Sequence, residues 1–240
     1  MDVTKLSDRK QEDAEDLRAL IYGSAGCGKT TIAGGFPKPI LFFNFDDKLK
    51  PLYGVEGIDA ITYAFDEPKD CKKIWTKFMR DFREVKKDTH YKTLVFDSLT
   101  LMNRILIANI LISSGKLPTD KATLPNYGEM KDMYEFLFIE MNKIPNKNII
   151  LIAHLAEVFD EEAGFLIERT PLITGTKIRA ALPALFEELY YLERKGGETD
   201  ERILHYRPHK KANANSLCLK GNGSISNPTY EKILKNIRGK

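Results

Sequence analysis

Residues 23–30 constrain the fold of this chain more than any other stretch. They read Gly-Ser-Ala-Gly-Cys-Gly-Lys-Thr and match the phosphate-binding pattern G-x-x-x-x-G-K-[ST] at every fixed position. Residues 17–22 form an apolar run that predicts the strand leading into such a loop, and we expect a helix from about Lys29. The alternative is a chance glycine-rich turn, which would not require a strand before it and a helix after it.

Each residue type in this loop suits a triphosphate. Gly23, Gly26 and Gly28 let successive backbone N–H groups converge on a phosphate, because no Cβ restricts the turn. Lys29 can reach the β- and γ-phosphates, and the Thr30 hydroxyl offers an oxygen ligand to Mg²⁺. The positive end of the following helix adds to the attraction. We therefore predict a nucleotide site made of Gly23, Ser24, Ala25, Gly26, Cys27, Gly28, Lys29, Thr30 and Thr31.

Strand and helix patterns alternate along the rest of the chain. Apolar runs typical of strands buried on both faces occur at residues 40–45, 93–96 and 148–153, with a shorter strand expected at 60–64. Helical periodicity occurs at residues 68–85, 99–112 and 129–142. Late strands are expected near residues 188–193, 202–207 and 216–219, with Gly196-Gly197 as a hairpin turn. This order predicts an α/β fold with a mainly parallel, twisted sheet and helices on both faces.

Polar residues follow several of these strands, where ligands bind in an open α/β sheet. Asp97 is a candidate Mg²⁺ ligand together with Thr30, the alternative being an N-cap for the next helix. Asp46 or Asp47 is a candidate base for an attacking water, or else a turn acid. His154 is a candidate sensor of the γ-phosphate, the alternative being a structural histidine.

Length, charge and cysteine content narrow the class of protein. The 240 residues suit one α/β domain, and the net charge of +3 is uneven. Residues 201–240 contain nine Lys or Arg against two acids, about +7, which leaves about −4 for the rest. This indicates a polyanion partner or, alternatively, a solvated basic tail. Three scattered cysteines argue for a reducing cytosol and against disulfides or zinc. We expect no membrane association, because the longest apolar run, at 99–112, is short and interrupted by polar residues.

The order of these motifs resembles the RecA-like recombinase core, with Asp46 at the place of the catalytic glutamate. More closely, the chain resembles the shortened RecA-like ATPases of bacteriophages that accompany single-strand annealing, the Sak-four family of phage AAA-type nucleotide-binding proteins. The matching pieces span roughly residues 17–215, and the phosphate loop is the specific one. The segments that carry the resemblance lie at residues 26–31, 42–53, 92–98, 126–128, 153–155 and 186–192.

This resemblance implies a Mg²⁺-dependent, DNA-stimulated ATPase that binds single-stranded DNA and forms a homo-oligomer, ring or filament. The implied division is a charged lead-in at 1–16, a RecA-like ATPase core at 17–220 and a basic C-terminal tail at 221–240. Two loops, at residues 113–127 and 155–176, take the places of DNA-holding loops. Their candidate phosphate contacts are Lys116, Lys121, Arg169 and Lys177, and their candidate base-stacking residues are Tyr127, Phe159 and Phe165.

Lys210 and Lys211 lie where recombinases place cations that reach the γ-phosphate bound to a neighbouring subunit, the alternative being an exposed basic turn. The implied partners are a phage annealing protein or a single-strand binding protein, in the host cytoplasm. A binding module, in which ATP only gates DNA binding or oligomerisation with little hydrolysis, is the rival function. A small-molecule kinase is disfavoured because residues 155–176 contain a single arginine, Arg169.

Overall fold

The computed structural model describes residues 16–64, 66–196 and 200–238. The strands are β1 (Arg18–Gly23), β2 (Ile40–Asn44), β3 (Ile58–Thr62), β4 (Thr93–Asp97), β5 (Asn148–Phe159), β6 (Leu166–Pro171), β7 (Glu188–Lys195), β8 (Glu201–His205), β9 (Asn215–Ser216) and β10 (Ser224–Ser226). The helices are α1 (Lys29–Ala33), α2 (Cys71–Val85), α3 (Leu99–Ser113), α4 (Leu124–Asn142), α5 (Thr176–Leu185) and α6 (Tyr230–Arg238).

The main sheet has the strand order β10-β8-β7-β1-β5-β4-β2-β3. The six strands from β7 to β3 run parallel, while β8 and β10 are antiparallel to their neighbours. Parallel pairing places the carboxyl ends of β1, β2, β4 and β5 at one edge of the sheet. The phosphate loop and the polar residues that follow β2 and β4 are therefore neighbours in space.

Helices cover both faces of the sheet, and each face has its own hydrophobic core. Leu20 and Tyr22 of β1 belong to the core under α2, α3 and α4, whereas Ala19 and Ile21 belong to the core under α1 and α6. Because successive side chains of a strand point to opposite faces, one apolar run supplies both cores. This double burial explains why the central strands read as continuous apolar runs.

The segment after residue 153 differs from the expected loop. β5 continues to Phe159, turns, and pairs antiparallel with β6, so that residues 148–171 include a projecting β-hairpin. His154 therefore lies within a strand, opposite Gly23 of β1, and not at a strand end. From His154 onward the residues of β5 are no longer fully buried. The sequence there lacks the continuous apolar run by which a buried strand is recognised.

Two further segments are more ordered than expected. The loop predicted at 113–127 ends early, because α4 begins at Leu124 with a capping box in which the Asn126 side chain accepts from the Thr123 N–H at 3.0 Å. Residues 221–238 of the predicted tail, the part that the structure describes, contain β10 and α6, and Ile233 and Ile237 of α6 are buried.

Some expectations fall outside the described residues. Nearly all of the charged lead-in lies outside the described residues, and so does Gly197 of the predicted hairpin turn. β7 and β8 nevertheless pair antiparallel, as that turn requires. Among the helices that the structure describes, none is long and apolar enough to cross a membrane.

Candidate active site

The phosphate loop joins β1 directly to α1. Gly28 has a φ of 98°, in the left-handed region that favours glycine, and a Cβ there would lie 2.9 Å from Nε of Arg202. Gly23 is required for a different reason, because a Cβ at this position would lie 2.2 Å from the carbonyl oxygen of Leu192 on β7. The close approach of β1 and β7 thus fixes the start of the loop.

The Lys29 side chain is buried inside this loop. Its ammonium donates to the carbonyl oxygens of Gly23 at 2.9 Å and of Ser24 at 2.8 Å. Cys27 Sγ lies 3.7 Å from the same Nζ. Burial nevertheless raises the pKa of the Cys27 thiol, with Lys29 only partly opposing the rise, so the thiol is protonated at neutral pH and is not an activated nucleophile.

Thr30 and Asp97 are in direct contact across the sheet edge. The Thr30 hydroxyl donates to Asp97 Oδ2 at 2.7 Å, and the Asp97 side chain is buried at the end of β4. Desolvation raises the pKa of Asp97, and the nearby charge of Asp46 raises it further, while the Thr30 hydrogen bond opposes the rise. A buried carboxylate beside a second carboxylate and a hydroxyl is a donor set that suits a hard cation such as Mg²⁺.

Asp46 is held by two side chains from other elements, Ser98 at the start of α3 and His154 on β5. Its Oδ1 accepts from the Ser98 hydroxyl at 2.6 Å, and its Oδ2 lies 2.9 Å from His154 Nε2. Burial works to raise the pKa of Asp46, but the hydrogen bonds from His154 and Ser98 outweigh it, and the net pKa is lowered. Asp47, the other candidate, is exposed with a φ of 51°, and its backbone N–H donates to the Asn44 side chain. Of the two acids, Asp46 is the one within the site.

His154 connects this acid to the hairpin. Its ring contacts Asp46, its backbone N–H donates to the Thr100 hydroxyl at 3.0 Å, and its strand continues into the β5–β6 turn. Four candidates from the sequence, Thr30, Asp97, Asp46 and His154, are thus joined through adjacent contacts at one edge of the sheet.

Lys210 and Lys211 form a separate group in a tight turn after β8. The His209 and Ala212 backbones exchange hydrogen bonds at 3.1 and 2.7 Å across this turn, and both lysines have positive φ, 45° and 64°. Lys210 Nζ lies 3.1 Å from Glu193 Oε1, and Lys211 Nζ donates to the Leu166 carbonyl. Within the described residues, the lysines contact β7 and β6 and not the phosphate loop.

The candidate DNA contacts are divided between two regions. Phe159 and Phe165 are about half exposed, at 52% and 55%, on the β5–β6 hairpin, where Lys211 Nζ lies 5.2 Å from the Phe165 ring. Arg169 on the same hairpin is held by Glu157 at 2.8 Å. The other region is a cavity of about 470 Å³ between the starts of α4 and α5, lined in part by Tyr127 and Lys177. Lys116 contacts Asn126 at 3.4 Å, and Lys121 is exposed.

Two residues of this region make contacts that no local sequence pattern indicates. Ser98 follows Asp97 and reads as a helix cap, a role it has because its side-chain oxygen accepts from the Leu101 N–H, and its hydroxyl also donates to Asp46. Arg202 on β8 lies against Gly28, with Nε buried and unpaired among the described residues. Arg202 lies more than 170 positions after the loop in the sequence, so no local pattern indicates its contact with Gly28.

The family described as AAA domain matches residues 15–216, which is most of the chain and includes every element of the site. The chain belongs to the AAA domain family. This AAA domain protein is accordingly a nucleotide-binding ATPase of the P-loop class, and the α/β P-loop fold predicted from the sequence is confirmed.

Three solved structures are similar to this AAA domain protein at low sequence identity. The RadB recombinase has 14% identity, a TM-score of 0.43, and a match covering 79% of each chain. The flagellar accessory protein FlaH from Methanocaldococcus jannaschii has 12% identity and a TM-score of 0.41, over 94% of this chain and 92% of FlaH. A type III secretion ATPase of pathogenic bacteria has 15% identity and a TM-score of 0.45, over 77% of this chain and 56% of that one. No curated protein matches the sequence.

Proposed function

We propose that this AAA domain protein is a Mg²⁺-dependent, RecA-like ATPase that acts on single-stranded DNA as a homo-oligomer, in phage recombination or annealing. The observation that carries the proposal is the contact between Thr30 and Asp97 beside the chain of contacts from Ser98 through Asp46 to His154. This arrangement combines a phosphate loop, a metal-binding pair and an oriented acid, which are the parts that γ-phosphate hydrolysis needs.

In this proposal, each group has one task. Lys29 and the loop N–H groups would hold the β- and γ-phosphates, and Thr30 and Asp97 would hold Mg²⁺, which when bound would supply positive charge beside the phosphate oxygens. Asp46 positions the attacking water. Its lowered pKa makes it a weak proton acceptor, but the loose transition state of phosphoryl transfer depends mainly on positioning and charge stabilisation.

The link from Asp46 to His154 provides a route between the nucleotide and DNA. His154 shares its strand with the β5–β6 hairpin, whose exposed aromatic rings are able to stack on unpaired bases. Loss of the γ-phosphate would alter the surroundings of Asp46, and His154 is the first residue to respond. The acidic turn at 160–162 weakens phosphate contacts at the tip, so in this proposal the DNA backbone runs nearer to Lys177.

The lysine turn supports a role between subunits. Two adjacent non-glycine residues with positive φ cost about 1–3 kcal/mol each, and such strain is found where a backbone is held for function. Lys210 and Lys211 are exposed, so both are accessible to a second copy of the chain. We propose that one or both complete the neighbour's site, so that hydrolysis depends on assembly. A phage annealing or single-strand binding protein in the host cytoplasm is the partner that this function implies.

The test is phosphate release with Mg²⁺ and ATP, measured with and without single-stranded DNA. We expect turnover that DNA stimulates, and a loss of at least 100-fold in Lys29→Ala. Lys72→Ala, at an exposed lysine of α2, is the matched control and should behave as wild type. DNA binding should weaken steeply with salt, with a slope of about −0.7 for each phosphate contact.

The rival function is a nucleotide-gated binding or oligomerisation module. One observation favours it: both carboxylate oxygens of Asp46 are engaged, and its lowered pKa makes it a poor base. This rival predicts ATP-dependent DNA binding or assembly with turnover no greater than that of Lys29→Ala. Turnover well above that of the variant would exclude it.

A further inference from the structure

A cluster outside the nucleotide site brings three metal-binding side chains together. We call Glu193, His205 and His209 the Glu–His–His cluster. Glu193 lies on β7, His205 ends β8 and pairs with Tyr191, and His209 begins the lysine turn. The potential ligand atoms all lie within 4.8 Å of one another. None of these residues has a task in the proposed hydrolysis.

Both imidazoles approach the same carboxylate oxygen. His205 Nε2 lies 3.3 Å and His209 Nε2 3.7 Å from Glu193 Oε2. These separations are long for N–H···O hydrogen bonds, which are about 2.7–3.2 Å. They fit a shared ion better, because ligands about 2.0–2.1 Å from a tetrahedral zinc lie roughly 3.3 Å apart.

The surroundings hold two of the three side chains in place. His205 is buried, and Lys210 Nζ lies 3.1 Å from the other carboxylate oxygen of Glu193. The rings of His205 and His209 stack with centroids 3.9 Å apart, and His205 also stacks on Tyr191. Because the lone pair of an imidazole nitrogen lies in the ring plane, the half-buried His209 ring must tilt out of this stack to share an ion with the buried His205.

We propose that the Glu–His–His cluster binds a divalent transition metal of the zinc class, with three protein ligands and one open position. Two imidazoles and one carboxylate are a common ligand set for this class of ion. The cysteine pattern gave no indication of this site, because its ligands are two histidines and a glutamate. They come from two strands and a turn, which only the fold brings together.

Lys210 competes with the ion. Its ammonium lies 3.1 Å from Glu193 Oε1, so it supplies part of the positive charge that a metal would supply. Metal binding therefore weakens the ion pair between Glu193 and Lys210, and the Lys210 ammonium becomes available to contact a neighbouring molecule. The proposed metal site does not depend on the proposed ATPase function, so a failure to bind metal would leave the ATPase proposal intact.

The experiment is a titration of untagged, nucleotide-free protein with Co²⁺, followed by visible absorption, and with Zn²⁺, followed by calorimetry. We expect one equivalent and the intense absorption of four-coordinate Co²⁺. His209→Ala and Glu193→Gln should each lower affinity by about 100-fold. Lys210→Ala should raise it by about fivefold, because a competing charge is removed. His90→Ala, at an exposed histidine remote from the cluster in the sequence, is the control and should match wild type.

Several results would overturn the proposal. They are no binding by wild type, the weak absorption of water-coordinated Co²⁺, or unchanged affinity in both His209→Ala and Glu193→Gln. Circular dichroism of each variant establishes that it is folded. Weaker binding in Lys210→Ala would contradict competition by this lysine.

Discussion

Asp97→Asn is expected to make the nucleotide-free protein more stable while removing its response to Mg²⁺ and ATP. Desolvation, and then the charge of Asp46, raise the pKa of Asp97 in the folded state. A carboxyl whose folded pKa lies above its unfolded pKa binds protons more readily when folded, so its ionised form lowers stability at neutral pH. An amide of the same shape carries no charge and can still accept the hydrogen bond from Thr30.

The size of the effect follows from the charges that are removed. Relief of like-charge repulsion between two nearby carboxylates is on the order of 1 kcal/mol. For a chain of this size, 1 kcal/mol corresponds to a rise in Tm of about 2–4 °C. Wild type should gain about 2.7 kcal/mol from a nucleotide present at 100 times its Kd, or about 5–10 °C. Asp97→Asn should lose most of that gain, so the order of the two melting temperatures reverses when ligand is added.

The assay is thermal unfolding with and without Mg²⁺ and a non-hydrolysable ATP analogue. Asp132→Asn is the control, since this acid is exposed on α4, and we expect a change within about 0.5 kcal/mol and a normal ligand response. If Asp97→Asn proves less stable than wild type without ligand, the assignment of an electrostatic cost to Asp97 is wrong. A full ligand-induced shift in the variant would contradict its role as a metal ligand.

Three further predictions concern the loop, the acid and the lysine turn. Gly23→Ala should destabilise the protein by about 3 kcal/mol in urea unfolding, because its Cβ meets the backbone of β7, whereas Gly128→Ala has open space and should not destabilise it. Asp46→Asn should be less stable than wild type at neutral pH, because the pKa of Asp46 is lowered in the folded state and its ionised form is therefore stabilising. This contribution is lost on acidification, so the difference in unfolding free energy should shrink as the pH falls below about 3.9. A difference of the same size at neutral pH and below this pH would refute the prediction. Lys210→Ala with Lys211→Ala should have low turnover that is partly restored by mixing with a variant lacking the metal-binding carboxylate, and no restoration would argue against catalysis between subunits.

The phosphate loop and the central strands could be predicted because their signals are local. A fixed pattern of glycines, lysine and threonine determines the loop, and burial on both faces of the sheet imposes continuous apolar runs. The positions of Asp97 and Asp46 followed from the same strands. The choice between Asp46 and Asp47 did not, because it depends on contacts with Ser98 at the start of α3 and His154 on β5, which are distant in the sequence.

The elements that the sequence did not predict are stabilised by distant contacts. β6 contains charged residues, and its partners are distant in the sequence or follow a turn. It pairs with β5, Arg169 N–H donates to the Lys211 carbonyl at 2.8 Å, and the Tyr22 hydroxyl of β1 donates to the Arg169 carbonyl. α5 was missed because Gly175 precedes it and a proline lies at 183. α6 does carry a local signal, since Tyr230, Ile233, Leu234 and Ile237 have the spacing of an amphipathic helix, but the basic residues around them favoured the interpretation of a tail. Its apolar side packs into the core that it shares with α1.

The most direct test of the account is calorimetric binding of a non-hydrolysable ATP analogue to wild type and to Lys29→Ala, each with and without Mg²⁺. If residues 23–30 bind the triphosphate, wild type should bind one nucleotide per chain, more tightly with Mg²⁺, and Lys29→Ala should bind it at least tenfold more weakly. Equal affinity in the two proteins would contradict the assignment of the triphosphate to residues 23–30.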